Sequence, residues 1–147
     1  MSNPCAFCDI LRGQSPATVV FEDEHTIAFL DSRPLFPGHV LLIPKPHITT
    51  LPDLPPERIP ELFTNVQLMS KAVPLAMDAE GSFVAMNNKV SQSVPHLHVH
   101  IVPRNRKDGL KGFFWPRKGY DDADHARRTG EQIAQVIEHL QNLEPSA

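Results

Sequence analysis

Between Val94 and Pro103 the chain reads Val-Pro-His-Leu-His-Val-His-Ile-Val-Pro, alternating imidazole and aliphatic side chains. An extended strand sends successive side chains to opposite faces. His96, His98 and His100 therefore share one face, and Leu97, Val99 and Ile101 share the other. The apolar face can join a core, whereas the histidine face must meet a cavity, a metal or water. Histidines two residues apart on a strand stand roughly 7 Å apart. With Zn–N bonds of about 2 Å, consecutive members cannot easily share one tetrahedral ion. The three are expected to divide their labour. A solvated polar face is the alternative, and it suits one histidine better than three in strict alternation. An imidazole with its ordinary pKa near ~6.5 can act as nucleophile or base at neutral pH. Three beside one substrate supply a nucleophile, a hydrogen-bond donor and an orienting group.

The rest of the chain supplies partners for that strand. Thr18–Phe21 and Thr26–Leu30 are β-rich runs joined by Glu22-Asp23-Glu24-His25, which predicts a hairpin. Val40–Ile43 reads as a buried strand ended by Pro44 and Pro46. Pro55 and Pro56, with Asp53 as cap, open a helix whose apolar residues Leu62, Phe63, Val66, Met69, Val73 and Met77 recur at helical spacing. Pro74 should kink or shorten that helix, and Gly81 should close it. Phe83–Met86 and Val94–Val102 predict two further strands. Residues 104–121 read as loop, and Ile133, Val136, Ile137 and Leu140 mark a C-terminal amphipathic helix running to Leu143. Strands, helix, strands, helix, joined by hairpin-type connections, make an α+β fold with a mostly antiparallel sheet. With 147 residues, one domain spanning 1–147 is expected.

Composition excludes several classes. Lys plus Arg is 14 against 17 for Asp plus Glu, a net charge of −3, which rules out a strongly basic nucleic-acid coat protein. No apolar run approaches the ~18 residues of a membrane span, and the N-terminal residues lack a secretory pattern, so the cytoplasm is the expected compartment. The 15 prolines are dispersed and read as boundary markers. Cys5 and Cys8, the only cysteines, form one Cys-x-x-Cys that is too short to staple a fold. A metal site, buried free thiols or a redox pair are the readings; the redox one is weak because no β-α-β pattern follows.

The run His96-Leu97-His98-Val99-His100-Ile101-Val102 resembles the His-x-His-x-His-x-x signature of the histidine-triad (HIT) family. The resemblance extends over nearly the whole chain. Phe29-Leu30-Asp31, then Pro37-Gly38-His39 running on to Pro46-His47, looks like that family's nucleotide-binding front half. It implies an antiparallel sheet of about five strands with one central and one C-terminal helix. The implied activity is hydrolysis or nucleotidyl transfer at the α-phosphate of nucleoside phosphoramidates or dinucleoside polyphosphates. By the same resemblance, His98 is the nucleophile, forming a nucleotidyl-histidine, and His100 donates to the phosphate or leaving group. His96 completes the triad and His39 is a further histidine near it. Gln92, Ser93 and Asn87 match phosphate or leaving-group contacts, and Asp31 matches the ribose-binding carboxylate. Phe29 and Phe7 are candidates for a base pocket or for simple core. The reaction requires no metal.

Cys5-Ala6-Phe7-Cys8 resembles the bacterial branch of the family, in which two cysteines and two histidines bind structural zinc; His47 and His96 are the matching histidines. The resemblance also implies a homodimer whose sheets join across a two-fold axis. A zinc-stabilised nucleotide-binding module without turnover is the non-enzymatic alternative. A uridylyltransferase-like transferase is the other, against which His100 argues, because those enzymes generally carry Gln there. Ser91 stands where family members usually carry Gly, and the loop from Asn87 to Gln92 is about two residues short of the common form. Trp115 reads either as a loop anchor or as part of a segment packing over the active site or a dimer interface. The basic residues around it, from Arg104 to Lys118, are suited to attracting polyphosphate or form a solvated loop.

Overall fold

In the computed structural model, which describes residues 4–110 and 117–143, the β-rich runs pair as their sequence predicts. β1 (Val19–Glu22) and β2 (Thr26–Leu30) form an antiparallel hairpin. β2 pairs with β3 (Val40–Pro44) across the full length of both strands, so that all five β3 residues are buried. β5 (Val99–Arg104) lies on the other side of β3, and β4 (Gly81–Ala85) forms the far edge. The sheet order is β1-β2-β3-β5-β4, antiparallel throughout. This is the expected α+β fold.

Each face of the sheet carries a helix because each has its own apolar set. On one face, Ala28, Val40, Leu42, Leu97, Val99 and Ile101 pack with Leu62, Val66, Met69 and Val73 of α2 (Ile59–Ala76). These α2 residues repeat at three- and four-residue intervals, the stripe of an amphipathic helix. Fully burying one such aliphatic side chain stabilises by about 1.5–3 kcal/mol. On the opposite face, Ile27, Phe29, Leu41 and Ile43 pack with Phe7 of α1 (Ala6–Leu11) and with Cys5 just before it. α1 is a helix the sequence reading leaves out. It forms because Cys5 caps it, its sulfur accepting the Cys8 N–H at 3.5 Å.

Several expectations about boundaries need correction. β5 starts at Val99, not Val94, although the side-chain alternation persists upstream. Pro95 has no N–H to give to a ladder, the His96 N–H turns back to the Val94 carbonyl, and the Leu97 N–H reaches Ile48 outside the sheet. Asp53 does not cap α2. It closes a capping box with Thr50 over a 3₁₀ turn, accepting from Thr50 Oγ1 at 2.6 Å. Phe63 and Met77 are exposed, and the buried stripe includes Asn65 instead. Asn65 is satisfied there, donating to Asp23 and Thr26 of the hairpin at 2.7 and 2.8 Å. Pro74 sits within the last turn of α2, where little helix follows it, and the helix ends at Ala76. Gly81 opens β4 rather than closing α2.

The chain divides into two compact units, Met1–Asp108 and Gly109–Ala147. The sheet, α1 and α2 lie in the first. The second contains α3 (Ala123–Leu143), whose Ile133, Val136, Ile137 and Leu140 are exposed. Trp115 and part of the basic stretch around it lie outside the described residues. Among the described residues, no helix is long and apolar enough to cross a membrane.

Candidate active site and thiol–imidazole cluster

The α1 face of the sheet carries both groups of chemically active side chains. The three alternating histidines keep to that face but enter different surroundings: backbone carbonyls fix the tautomers of His96 and His98, and the His39 ring fixes that of His100.

His96 is fully buried. Its Nε2 lies 2.8 Å from the Pro44 carbonyl, which can only accept, so Nε2 carries the proton. Nδ1 is left with a lone pair, 3.6 Å from Cys5 Sγ and 3.7 Å from Cys8 Sγ. His47 Nδ1 approaches Cys8 Sγ at 3.3 Å. All four ligand atoms lie within 4.8 Å of one another. Burial and the adjacent Cys5 thiol hold the Cys8 thiol above its ordinary value. Burial, opposed by the Pro44 carbonyl and assisted by His47 and His98, pushes His96 down and keeps it neutral, the form that ligates metal.

His98 is buried and lines a cavity of about 580 Å³. Its Nδ1 lies 2.7 Å from the His96 carbonyl and must donate to it. The unprotonated nitrogen is therefore Nε2. The ring is flanked edge-on by Phe7 at 5.1 Å and by His100 at 4.9 Å. Phe7, Phe29, Asp31, Arg33, Ser93 and His100 share the cavity lining with it.

His100 lies opposite Leu41 in the β3–β5 register, which turns it to the same face. Its Nδ1 is 2.9 Å from His39 Nε2. The Leu35 N–H donates to His39 Nδ1 at 3.1 Å, so the His39 proton sits on Nε2 and points at His100. His100 Nδ1 thus accepts, and its own proton is on Nε2. Burial, with His98 and His39 close by, pushes His100 down to about 4 against the pull of Asp31. At neutral pH it is an uncharged N–H donor. Burial likewise lowers His39, although Asp31 Oδ2 at 3.6 Å works the other way. Asp31, His39 and His100 resemble a metal-binding set in composition. Within that set the two rings are joined by a hydrogen bond.

The remaining candidates divide. Asp31, Phe29 and Ser93 line the cavity, as do Ala6, Phe7 and Ile10 of the α1 segment. His39 is buried behind His100 and is not part of the lining. Asn87 is exposed and donates to the Ser91 carbonyl at 3.2 Å. The Gln92 amide donates to the Thr49 carbonyl at 2.6 Å and accepts the Lys89 N–H at 2.9 Å. Neither amide lines the cavity; both brace the loop that carries them. Sequence reasoning missed Arg33 in the lining, although its position two residues after Asp31 was the available signal.

An antiparallel α+β sheet carries His98 and His100 on the wall of a cavity, with His39 bonded to His100, and that arrangement defines the class to compare. Comparison with known proteins narrows the class. Residues 12–107 match the HIT domain, and the chain belongs to that family. An adenylylsulfatase from Arabidopsis thaliana is 38% identical over 112 residues, covering 75% of this chain and 57% of that protein. An adenosine 5'-monophosphoramidase from Candida albicans is 29% identical over 144 residues, covering 94% of each. These named relatives are hydrolases. A HIT family protein from Bacillus subtilis has a crystal structure with a TM-score of 0.83 at 33% identity, covering 99% of this chain and 100% of that one. A Zn-bound histidine triad family protein from Mycobacterium smegmatis gives 0.69 at 35% identity, covering 92% and 96%.

Proposed function

We propose that this protein hydrolyses nucleoside phosphate derivatives, phosphoramidates or dinucleoside polyphosphates, at the α-phosphate through a nucleotidyl-His98 intermediate. The observation that carries the reading is the His98 ring itself. Its Nδ1–H is held by the His96 carbonyl at 2.7 Å, and the ring lines the cavity, so the free lone pair is on Nε2. Nε2 attacks phosphorus, a P–N bond forms, and the bond to the leaving group breaks with its electron pair departing on that group. Water then attacks phosphorus, the P–N bond breaks, and the pair returns to Nε2. One water is consumed, its hydroxyl going to the nucleoside monophosphate and its proton to the leaving group. His100 Nε2–H stabilises charge on the phosphoryl oxygens as it develops. Asp31 accepts the ribose hydroxyls, Ser93 contacts phosphate, and Phe7 with Phe29 walls the base.

In the same reading, Cys5, Cys8, His47 and His96 hold a structural zinc ion. Tetrahedral Zn–S and Zn–N bonds of about 2.3 and 2.05 Å place sulfur and nitrogen ligands about 3.6 Å apart. The sulfur–nitrogen separations of 3.3, 3.6 and 3.7 Å support that occupant. The ion would tie α1 to the segment that carries the nucleophile. The homodimer belongs to this reading as well, β4 being an edge strand of the sheet.

Rapid acid quench of the protein with adenosine 5'-phosphoramidate, followed by intact mass measurement, tests the mechanism. An adenylyl adduct on wild type that is missing from His98→Ala is expected. An adduct on both, or substrate bound and never turned over, would leave the non-catalytic binding module as the answer.

A further inference from the structure

One acidic and one basic side chain line the cavity beside His98, Asp31 and Arg33. Both leave the end of β2 on a turn whose backbone is held. The Asp31 N–H donates to the His39 carbonyl at 2.9 Å, and the Arg33 N–H donates to Asp31 Oδ1 at 2.9 Å. Pro34 follows and restricts Arg33 to extended backbone. The same turn therefore places both residues at one rim. The charges do not cancel. Asp31 Oδ1 takes the Arg33 backbone N–H and Oδ2 faces His39, while the Arg33 guanidinium has no carboxylate within ion-pair distance among the described residues. His100, lowered to about 4 by burial and by His98 and His39, adds an N–H donor at neutral pH but no charge. Arg33 is thus the basic side chain of this cavity's lining among the described residues, in a chain whose net charge is −3.

We infer that Arg33 is a specificity-determining residue that selects nucleotides carrying a second anionic group, a phosphate or sulfate besides the phosphorus that His98 attacks. The inference rests on the nucleotide reading above. A planar guanidinium matches the oxygen geometry of such a group, bonding it through two parallel N–H donors. The group sits either on the ribose, beside the hydroxyl that Asp31 accepts, or on the leaving side of the α-phosphate. Asp31 repels an anion placed on the hydroxyl it binds, so the pair reads position as well as charge.

Titration calorimetry with three ligands separates the two sources: AMP, adenosine 3',5'-bisphosphate, and the non-hydrolysable adenosine 5'-(α,β-methylene)diphosphate. Wild type is expected to bind one of the doubly anionic ligands about tenfold more tightly than AMP, the scale of one charge-assisted pair. In Arg33→Gln that ratio should fall to within about twofold of unity, and Arg33→Lys should restore part of it. Equal affinities for all three ligands in wild type, or a preference that survives Arg33→Gln, overturn the assignment and leave the hydrolase reading intact. Binding of none of the three overturns the nucleotide reading and this inference with it.

Discussion

The two histidine clusters hang from one short stretch of chain, His96 just before β5 and His100 within it, yet they differ in where their protons sit. Around His96, a carbonyl takes the ring proton away from the cluster, and lone pairs converge with two thiols on a common centre. Around His100, a backbone N–H at His39 pushes the proton into the gap between two rings. Both sets have the composition of a metal site. The neighbouring peptide groups, rather than the residue types, turn the lone pairs of one set toward a shared centre and leave an N–H between two rings in the other. His98 stands between them, and its tautomer is fixed by the carbonyl of His96, a member of the first set.

The sharpest way to break this comparison is to remove one residue from each side. His98→Ala should lower kcat/KM on adenosine 5'-phosphoramidate by about 10⁴-fold or more, the scale of losing a covalent nucleophile. It should leave zinc content, read by atomic emission, at the wild-type level. Cys5→Ser should do the reverse. Zinc is lost, and the thermal midpoint falls by about 10 °C, as expected for several kcal/mol in a chain of this size. Activity in that variant falls mainly through KM, because Phe7, Ala6 and Ile10 wall the cavity from the segment Cys5 anchors. Equal zinc content in the two variants would erase the distinction between the clusters.

Next in size is His39→Ala, which leaves His100 Nδ1 without the donor that sets its tautomer. A loss of about 10²-fold in kcat is expected, within the range attributed to a positioned proton donor. Zinc content should not change. Wild-type kcat in this variant would show that the His39–His100 contact is packing alone.

The pH dependence of stability sharpens the contrast further. A histidine whose folded pKa lies below its unfolded value binds fewer protons in the fold, so acid favours unfolding. His100 therefore contributes stability that is complete above about 6.5 and is lost as pH falls toward about 4; His39, also lowered, acts in the same direction. Asp23 works in a separate, lower window. Burial alone would raise it, but bonds from Asn65, from the His25 and Thr26 N–H groups and from the Thr26 hydroxyl bring it down to about 2. Its contribution is present above about 3.8 and disappears between there and about 2. Urea midpoints should accordingly fall between pH 6.5 and 4, and His100→Asn should flatten that slope while leaving the lower window in place. An unchanged slope in His100→Asn would assign the transition to other groups.

What could be read from sequence follows from which interactions are periodic. The alternation through His96–Ile101 and the helical stripe are repeats that one packing satisfies: Leu97, Val99 and Ile101 are buried, and of the expected stripe Leu62, Val66, Met69 and Val73 are buried while Phe63 and Met77 are exposed. The Cys-x-x-Cys and the two histidines are grouped by the family resemblance, and their ligand atoms lie within 4.8 Å of one another. The tautomers were not legible, since they depend on carbonyls at Pro44 and His96 and an N–H at Leu35, which every residue type carries. The loop amides illustrate the same limit. Gln92 has the right chemistry for a phosphate, but its amide meets the Thr49 carbonyl, 43 positions earlier in the chain. Ladder ends were misjudged at Val94 because β-propensity does not register that Pro95 lacks a donor.

The loop between Asn87 and Gln92 offers the smallest test and a control outside both clusters. Ser91 has φ of 61° and Lys89 φ of 69°, left-handed conformations in which a Cβ costs about 1 kcal/mol relative to glycine. The contacts that hold the loop run through backbone groups or other side chains. Asn87 reaches the Ser91 carbonyl, Gln92 accepts the Lys89 N–H, and Asn88 accepts the Leu51 N–H at 2.8 Å. None of these is lost when Ser91 gives up its side chain. Against the relief of strain stands the greater freedom of glycine in the unfolded chain, about 0.4–1 kcal/mol. The net expectation for Ser91→Gly is a gain of about 0.5 kcal/mol in urea unfolding, with kcat/KM within about twofold of wild type, because Ser91 does not line the cavity. A stability loss would mean that the serine side chain holds the loop. A larger change in kcat/KM would mean that the loop's shape reaches the phosphate side of the cavity, making it a third region that the two histidine clusters do not account for.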